Sequence, residues 1–231
     1  MCFSLEADLV VGAALLPVAA VSLREVKCRR ELPFASLPLL FALHSLVEVL
    51  VWAGTEGVVS RAVEHAAAVA YLIVAFPVLP ILVPLAVLLL EPRGSRRRIA
   101  VFVAIGAVVA ADFAWTVASR PIEVVVRPHA LTYVASIDQP LLWTSLYIVA
   151  VIGPSLLSGY TSIVLFGVAN LIGLSLVALV FAGAFASLWC VWAAVSSLFV
   201  AAHMVRRRRL PDSERLHADP LHAAAAVIRG S

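Results

Sequence analysis

RAVEHAAAVAYLIVAFPVLPILVPLAVLLL, residues Arg61 to Leu90, decides the class of this protein. Past Glu64 and His65 it reaches Leu90 without a charge. At about 1.5 Å rise per residue, roughly 20 apolar residues cross the hydrocarbon of a bilayer, and this stretch is long enough to do so. It also holds Pro77, Pro80 and Pro84. Each proline removes an amide donor, so the helix should kink, and neighbouring helices must satisfy the freed carbonyls.

Six more segments of the same kind lie on either side. They run from about Asp8 to Leu23 (with Pro17), Pro33 to Ala53, Ile99 to Val117, Pro140 to Leu157, Thr161 to Phe181 and Phe185 to Val205. Of the 231 residues 63% are hydrophobic and 13% charged, against about 45–50% and about 25% in an ordinary soluble domain. A soluble fold of this length has no core large enough to hide that excess. The expectation is an all-α integral membrane protein of about seven transmembrane helices, multi-pass in a cell membrane, the bacterial inner membrane by type. Residues 1–205 form the transmembrane domain and 206–231 a basic cytoplasmic tail.

Positive charge orients it. Arg24, Lys27, Arg29 and Arg30, then Arg93 and Arg96 to Arg98, then Arg206 to Arg209 fall on one side, twelve in all. The other side has three, Arg61, Arg120 and Arg127. Cytoplasmic loops carry the excess of Lys and Arg, so the N-terminus is expected outside and the C-terminus in the cytoplasm. The Arg206 to Arg209 run is read as an anchor near anionic lipid, not as a nucleic-acid site. Cys2, Cys28 and Cys190 make no disulfide framework and no zinc motif, and Cys28 falls on the cytoplasmic side. No internal repeat of transporter type is visible.

Residues 120–139 interrupt the apolar pattern. Ile122 to Val126 and Ala130 to Val134 are β-rich runs around Arg127-Pro128-His129. They predict a short hairpin on the outer face, a cap or lid.

Ionisable groups at bilayer depth are costly and mark candidate sites. His44, Glu48 and Trp52 recur at four-residue spacing and so share one helical stripe. Asp112 and Trp115 share a face of the fourth segment, and Asp112 has no obvious partner on its own helix. Glu48 and Asp112 each fall roughly 8 Å inside the outer ends of their helices, and Trp189, Cys190 and Trp192 in the outer half of the last. Glu6, Asp8, Glu64 and His65 lie close enough to the interface to be solvated, though Glu64 and His65 could still border a site. Asn170 is mid-helix, where Asn commonly bonds a neighbouring helix. Convergence on one depth predicts a pocket in the outer half, with Glu48, Asp112 and His44 as catalytic candidates. Its lining would be Trp52, Trp115, Trp189, Trp192, Asn170, Glu64 and His65. The bland reading of the His44–Glu48 pair is mutual hydrogen bonding, and that of Trp143 an interfacial belt.

Met1-Cys2-Phe3-Ser4, Arg30-Glu31-Leu32-Pro33, Leu39-Leu40-Phe41-Ala42 and Ala186-Ser187-Leu188-Trp189-Cys190 resemble a bacterial family of seven-helix proteins, a domain of unknown function. The likeness covers nearly the whole chain and implies the same architecture. Its members often carry Gln near the position of His44 and a His where this chain has Pro128, so the resemblance does not make His44 indispensable. A looser likeness, of architecture and residue types alone, is to integral-membrane terpene cyclases.

Three classes of function compete. The first is a proton-initiated cyclase acting on an isoprenoid. Desolvation keeps a carboxyl in an apolar bundle protonated, and tryptophans stabilise a carbocation. Glu48 or Asp112 would be the acid. The second is a metal-dependent lipid hydrolase using His44, Glu48, His65 and Asp112, although no paired-ligand spacing is present. The third is a sensor, binder or proton-coupled transporter. No cofactor or metal is expected for the first, and the partners are the bilayer and a hydrophobic small molecule.

Overall fold

The computed structural model describes residues 4–91, 96–127, 130–134, 137–180 and 185–209. For Arg127, Ala130, 176–180, 185–191 and 207–209 it describes the backbone alone. Helix α1 spans Leu5–Arg24, capped by the Ser4 hydroxyl, which accepts from the Ala7 amide at 3.2 Å. A 3₁₀ turn at Arg29–Glu31 and a short α2, Leu32–Ala35, lead into α3, Leu37–Thr55. Next come α4 (Arg61–Ile73), a π-helical turn (Val74–Val78) and α5 (Leu79–Leu90). They are followed by α6 (Arg96–Ser119), the antiparallel strands β1 (Glu123–Arg127) and β2 (Ala130–Val134), α7 (Pro140–Leu156), α8 (Thr161–Val180) and α9 (Phe185–Arg209). The hairpin pairs Val124 with Tyr133 and Val126 with Leu131.

Among the described residues, four helices are long and apolar enough to cross a membrane: Leu5–Arg24, Arg29–Thr55, Arg61–Leu90 and Arg96–Ser119. Around an apolar core, the bundle also carries apolar side chains on its outside and carboxylates within. Val10, Val108, Leu165, Ile172 and Leu198 lie exposed on the outside, while Asp8, Glu31, Glu48, Glu64 and Glu91 are buried. Apolar surface on that scale has a stable home in lipid.

The prolines act where the sequence places them, and the break takes a particular form. The Leu79 amide bonds back to the Val74 carbonyl, five residues earlier. In that wide register the Ala75 carbonyl would pair with residue 80, a proline without an N–H. The Tyr147 hydroxyl of α7 donates to it instead, at 2.8 Å. Pro84 likewise frees the Pro80 carbonyl, and there α6 packs against it through Gly106. A Cβ on Gly106 would strike the Pro80 carbonyl oxygen, so this crossing requires glycine.

At the end carrying the basic residues, two carboxylates hold the turns. Glu31 accepts the Lys27 amide at 2.8 Å and closes the loop before α2. Glu91, buried after α5, accepts the Ser158 hydroxyl at 2.5 Å and the Gly159 amide at 2.8 Å. Arg98 stands 3.7 Å from its second oxygen. Arg96 donates to the Glu91 carbonyl at 3.1 Å. The α5–α6 and α7–α8 corners are therefore joined through one side chain.

Candidate functional site

At the opposite end the hairpin is docked, not free. Leu131 is buried among Val51, Trp52, Ala67 and Ala68, which fixes β2 on the ends of α3 and α4. Strand alternation puts Tyr133 on the same face. Its hydroxyl lies 3.4 Å from a Glu48 carboxylate oxygen, and its ring stacks on Tyr71 with centroids 4.6 Å apart. Tyr71 in turn stacks on His44 at 3.9 Å. Glu48 and His44, one helical turn apart, are thus linked by two tyrosines from other elements rather than by bonding each other. The third residue of the stripe, Trp52, donates its indole N–H to Asp8 of α1 at 3.1 Å.

His44 Nδ1 is shut from solvent and has no hydrogen-bond partner among the described residues. The ring borders a cavity shared with Leu15, Phe41, Ser45, Tyr71, Ala75, Leu79 and Ala193. A second cavity adjoins it, with Phe41, Leu79 and Ala193 as common walls, and extends to Phe166, Asn170, Trp192 and Ser196. Each has a volume of about 40 Å³, room for roughly three water-sized groups at ~10–15 Å³ apiece. In the second, the Asn170 carbonyl oxygen accepts from Trp192 at 2.9 Å and Ser196 at 3.4 Å, and its amide donates to the Phe166 carbonyl at 2.7 Å. Asn170 thereby joins α8 to α9. The Trp192 indole lies flat on Gly173, where a Cβ would leave it no room.

The other candidates separate from this group. Asp112 is half-buried and makes no hydrogen bond or ion pair with any described residue, Glu48 included; its charge is felt by Arg120. Trp115, on the same helix, is 70% exposed and faces away from the bundle, so it lines neither cavity. Trp52 is committed to Asp8 and borders neither. Asp8 and Glu64, expected to be solvated, are buried instead. Glu64 packs on Gly54 of α3 and pairs with Arg61 at 2.8 Å. His65 is exposed. Trp189 and Cys190 as side chains, and Cys2, Pro128 and His129 altogether, lie outside the described residues. No three His, Cys, Asp or Glu residues gather as a metal-binding group among the described residues.

Outside the bundle, Arg120 and Asp138 form an ion pair at the foot of the hairpin. The Arg120 guanidinium, bonded to its carboxylate, holds Asp138 below the usual carboxylate range. Tyr71 and Tyr133 had no separate signal in the sequence, since each sits inside an apolar run. The alternation of Leu131 and Tyr133 was the available hint.

A family model described as a family of unknown function (DUF6629) matches residues 1–216. No curated protein and no solved structure matches.

Proposed function

Because the chain belongs to this family of unknown function, kinship lends it no activity, and we propose from its own geometry that it holds a hydrophobic small molecule inside a membrane-embedded bundle. In this reading the seven apolar segments all span, as a multi-pass protein of a bacterial inner membrane. The N-terminus and hairpin face outward and the basic end faces the cytoplasm, in keeping with twelve basic residues against three. The observation that carries the proposal is the pair of adjoining cavities. Their walls are mostly aliphatic and aromatic, with few polar groups, which is the make-up of a small-molecule site. At their present volume they are closed around little, so a ligand enters by parting Phe41, Leu79 and Ala193, the walls they share. The break at Val74–Val78, beside Leu79, supplies the compliance.

A second reading, proton-initiated cyclisation of an isoprenoid, is favoured by the buried Glu48 carboxyl at the head of the Tyr133–Tyr71–His44 stack. Glu48 would protonate the alkene, with the Tyr133 hydroxyl beside it orienting the carboxyl, and the carboxylate so formed would take a proton back from the final cation. Asp112 has no part in it.

Purified protein would be incubated with a panel of prenylated compounds, and bound and free material analysed by mass spectrometry. Retention by the wild type, lost in Ala193→Phe, which fills both cavities, is the expected result. A cyclised product of unchanged mass, present with Asp112→Asn and absent with Glu48→Gln, would establish the enzymatic reading. A panel neither retained nor altered would defeat both.

A further inference from the structure

The polar groups bordering the two cavities differ in what they still need, and that difference gives a bound molecule a direction. In the cavity toward Trp192, Asn170 has its carbonyl oxygen occupied by two donors and its amide bonded to Phe166. Ser155 is the one polar side chain there that makes no hydrogen bond with a described residue. In the cavity toward the hairpin, two consecutive residues are in that position. His44 Nδ1 is buried without a partner, and the hydroxyl of Ser45, itself a buried residue, makes no hydrogen bond with a described residue. A buried polar atom left unmatched costs about 1–3 kcal/mol, so a ligand that satisfies His44 Nδ1 gains what an apolar one forgoes.

Resting on the reading of these cavities as a hydrophobic site, we infer that the occupant is a neutral, hydroxyl-bearing hydrophobic molecule bound with its hydroxyl at His44 and Ser45 and its apolar body toward Trp192. The chemistry narrows the class. Imidazole nitrogen is an acceptor in one tautomer and a donor in the other, and a hydroxyl answers either. A carboxylate or phosphate would bring a full charge to walls made of Leu15, Phe41, Ala75, Leu79 and Ala193, where no cationic side chain borders the cavity. A pure hydrocarbon would leave His44 Nδ1 unmatched. The stacking of His44 on Tyr71 holds the ring in place, so the polar end is set before the ligand arrives. The remainder of the molecule passes Phe41 and lies along the Trp192 indole, which Gly173 keeps flat.

The test compares geraniol with myrcene, a hydrocarbon of the same carbon number, on the purified full-length protein by native mass spectrometry. Wild type is expected to prefer the alcohol by about tenfold, the worth of one satisfied buried polar group. His44→Leu should bring the ratio to about one, whereas His44→Gln, which keeps a hydrogen-bonding group there, should retain most of it. Thermal unfolding of both variants establishes that they fold, and the Gln variant carries the test if the Leu variant does not: it supports the inference by keeping the preference and opposes it by losing it. Equal binding of both compounds overturns the inference and leaves the hydrophobic site standing. Loss of the preference in Ser155→Ala, with His44→Leu unaffected, overturns the orientation. Binding of neither compound overturns the inference together with the function it rests on.

Discussion

The two ends of the bundle both bury carboxylates, and they satisfy them by different chemistry. At the basic end Glu91 takes a hydroxyl, a backbone amide and the field of Arg98, and Glu31 takes a backbone amide. At the hairpin end Asp8 receives an indole N–H and Glu48 faces a phenol. Backbone amides move only when the chain moves. Donors on aromatic side chains can turn away by a change of rotamer. The basic end is therefore a set of fastenings between corners of the chain. The hairpin end is a set of contacts between side chains of different elements, with His44 held in place by its stacking on Tyr71. Its polar groups are suited to function for the reason they are less suited to stability.

The sharpest way to break this comparison is at Glu91. Replacing it with Ala removes the acceptor for two donors and the tie between the α5–α6 and α7–α8 corners. The expected loss is about 2–3 kcal/mol, read as a lower midpoint of chemical unfolding in detergent, with Glu91→Gln losing less. An unchanged midpoint for the Ala variant would mean that the corners are held by packing alone. A smaller effect, about 1–2 kcal/mol, is expected for Trp52→Phe, which keeps a ring in the α1–α3 contact and takes away one neutral donor from Asp8. Should Trp52→Phe prove as costly as Glu91→Ala, the distinction between the two ends would collapse.

The smallest effect belongs to Asp138→Asn at the foot of the hairpin. The Asp138 carboxyl is held below its ordinary value by Arg120. The pairing therefore contributes fully above the unfolded carboxyl's pKa of about 3.9 and is lost as pH falls through the lower folded value. Protection of the hairpin from proteolysis should be flat from neutral pH down to about pH 4, and it should weaken with salt because the pair is exposed. In Asp138→Asn the acid-dependent step should vanish. A step that persists in the variant would assign it to another group.

The spans of the helices were legible in the sequence, and azimuth was not. Hydropathy placed all seven apolar segments to within a few residues, with Arg61–Leu90 and the hairpin strands nearly as read, because apolar length and β-rich alternation are local properties. Four-residue spacing also put His44, Glu48 and Trp52 on one stripe. What spacing could not supply was the direction that stripe faces, or which side chain from a distant segment meets it. Asp112, expected beside Glu48, makes no bond with it, and its neighbour Trp115 faces outward. Asp8 and Trp52 are 44 residues apart and nothing local connects them. Glu91 escaped notice because it precedes Pro92-Arg93-Gly94-Ser95, a run that reads as solvated turn. Its burial follows from the Ser158–Gly159 corner folding over it.

The π-helical turn at Val74–Val78 has a consequence for the phase of the helix that contains it. Eight residues separate Tyr71 from Leu79 and Leu72 from Pro80, all four buried, where two α-helical turns take about seven. The wide turn absorbs the residue left over, so the inward faces of α4 and α5 stay in line instead of diverging by the roughly 100° that one surplus residue imposes. The chain carries one more letter here than a straight rod needs, and the surplus is taken up where a carbonyl is passed to Tyr147. Read as a ruler, Arg61–Leu90 is two scales of the same pitch joined with an offset of one mark.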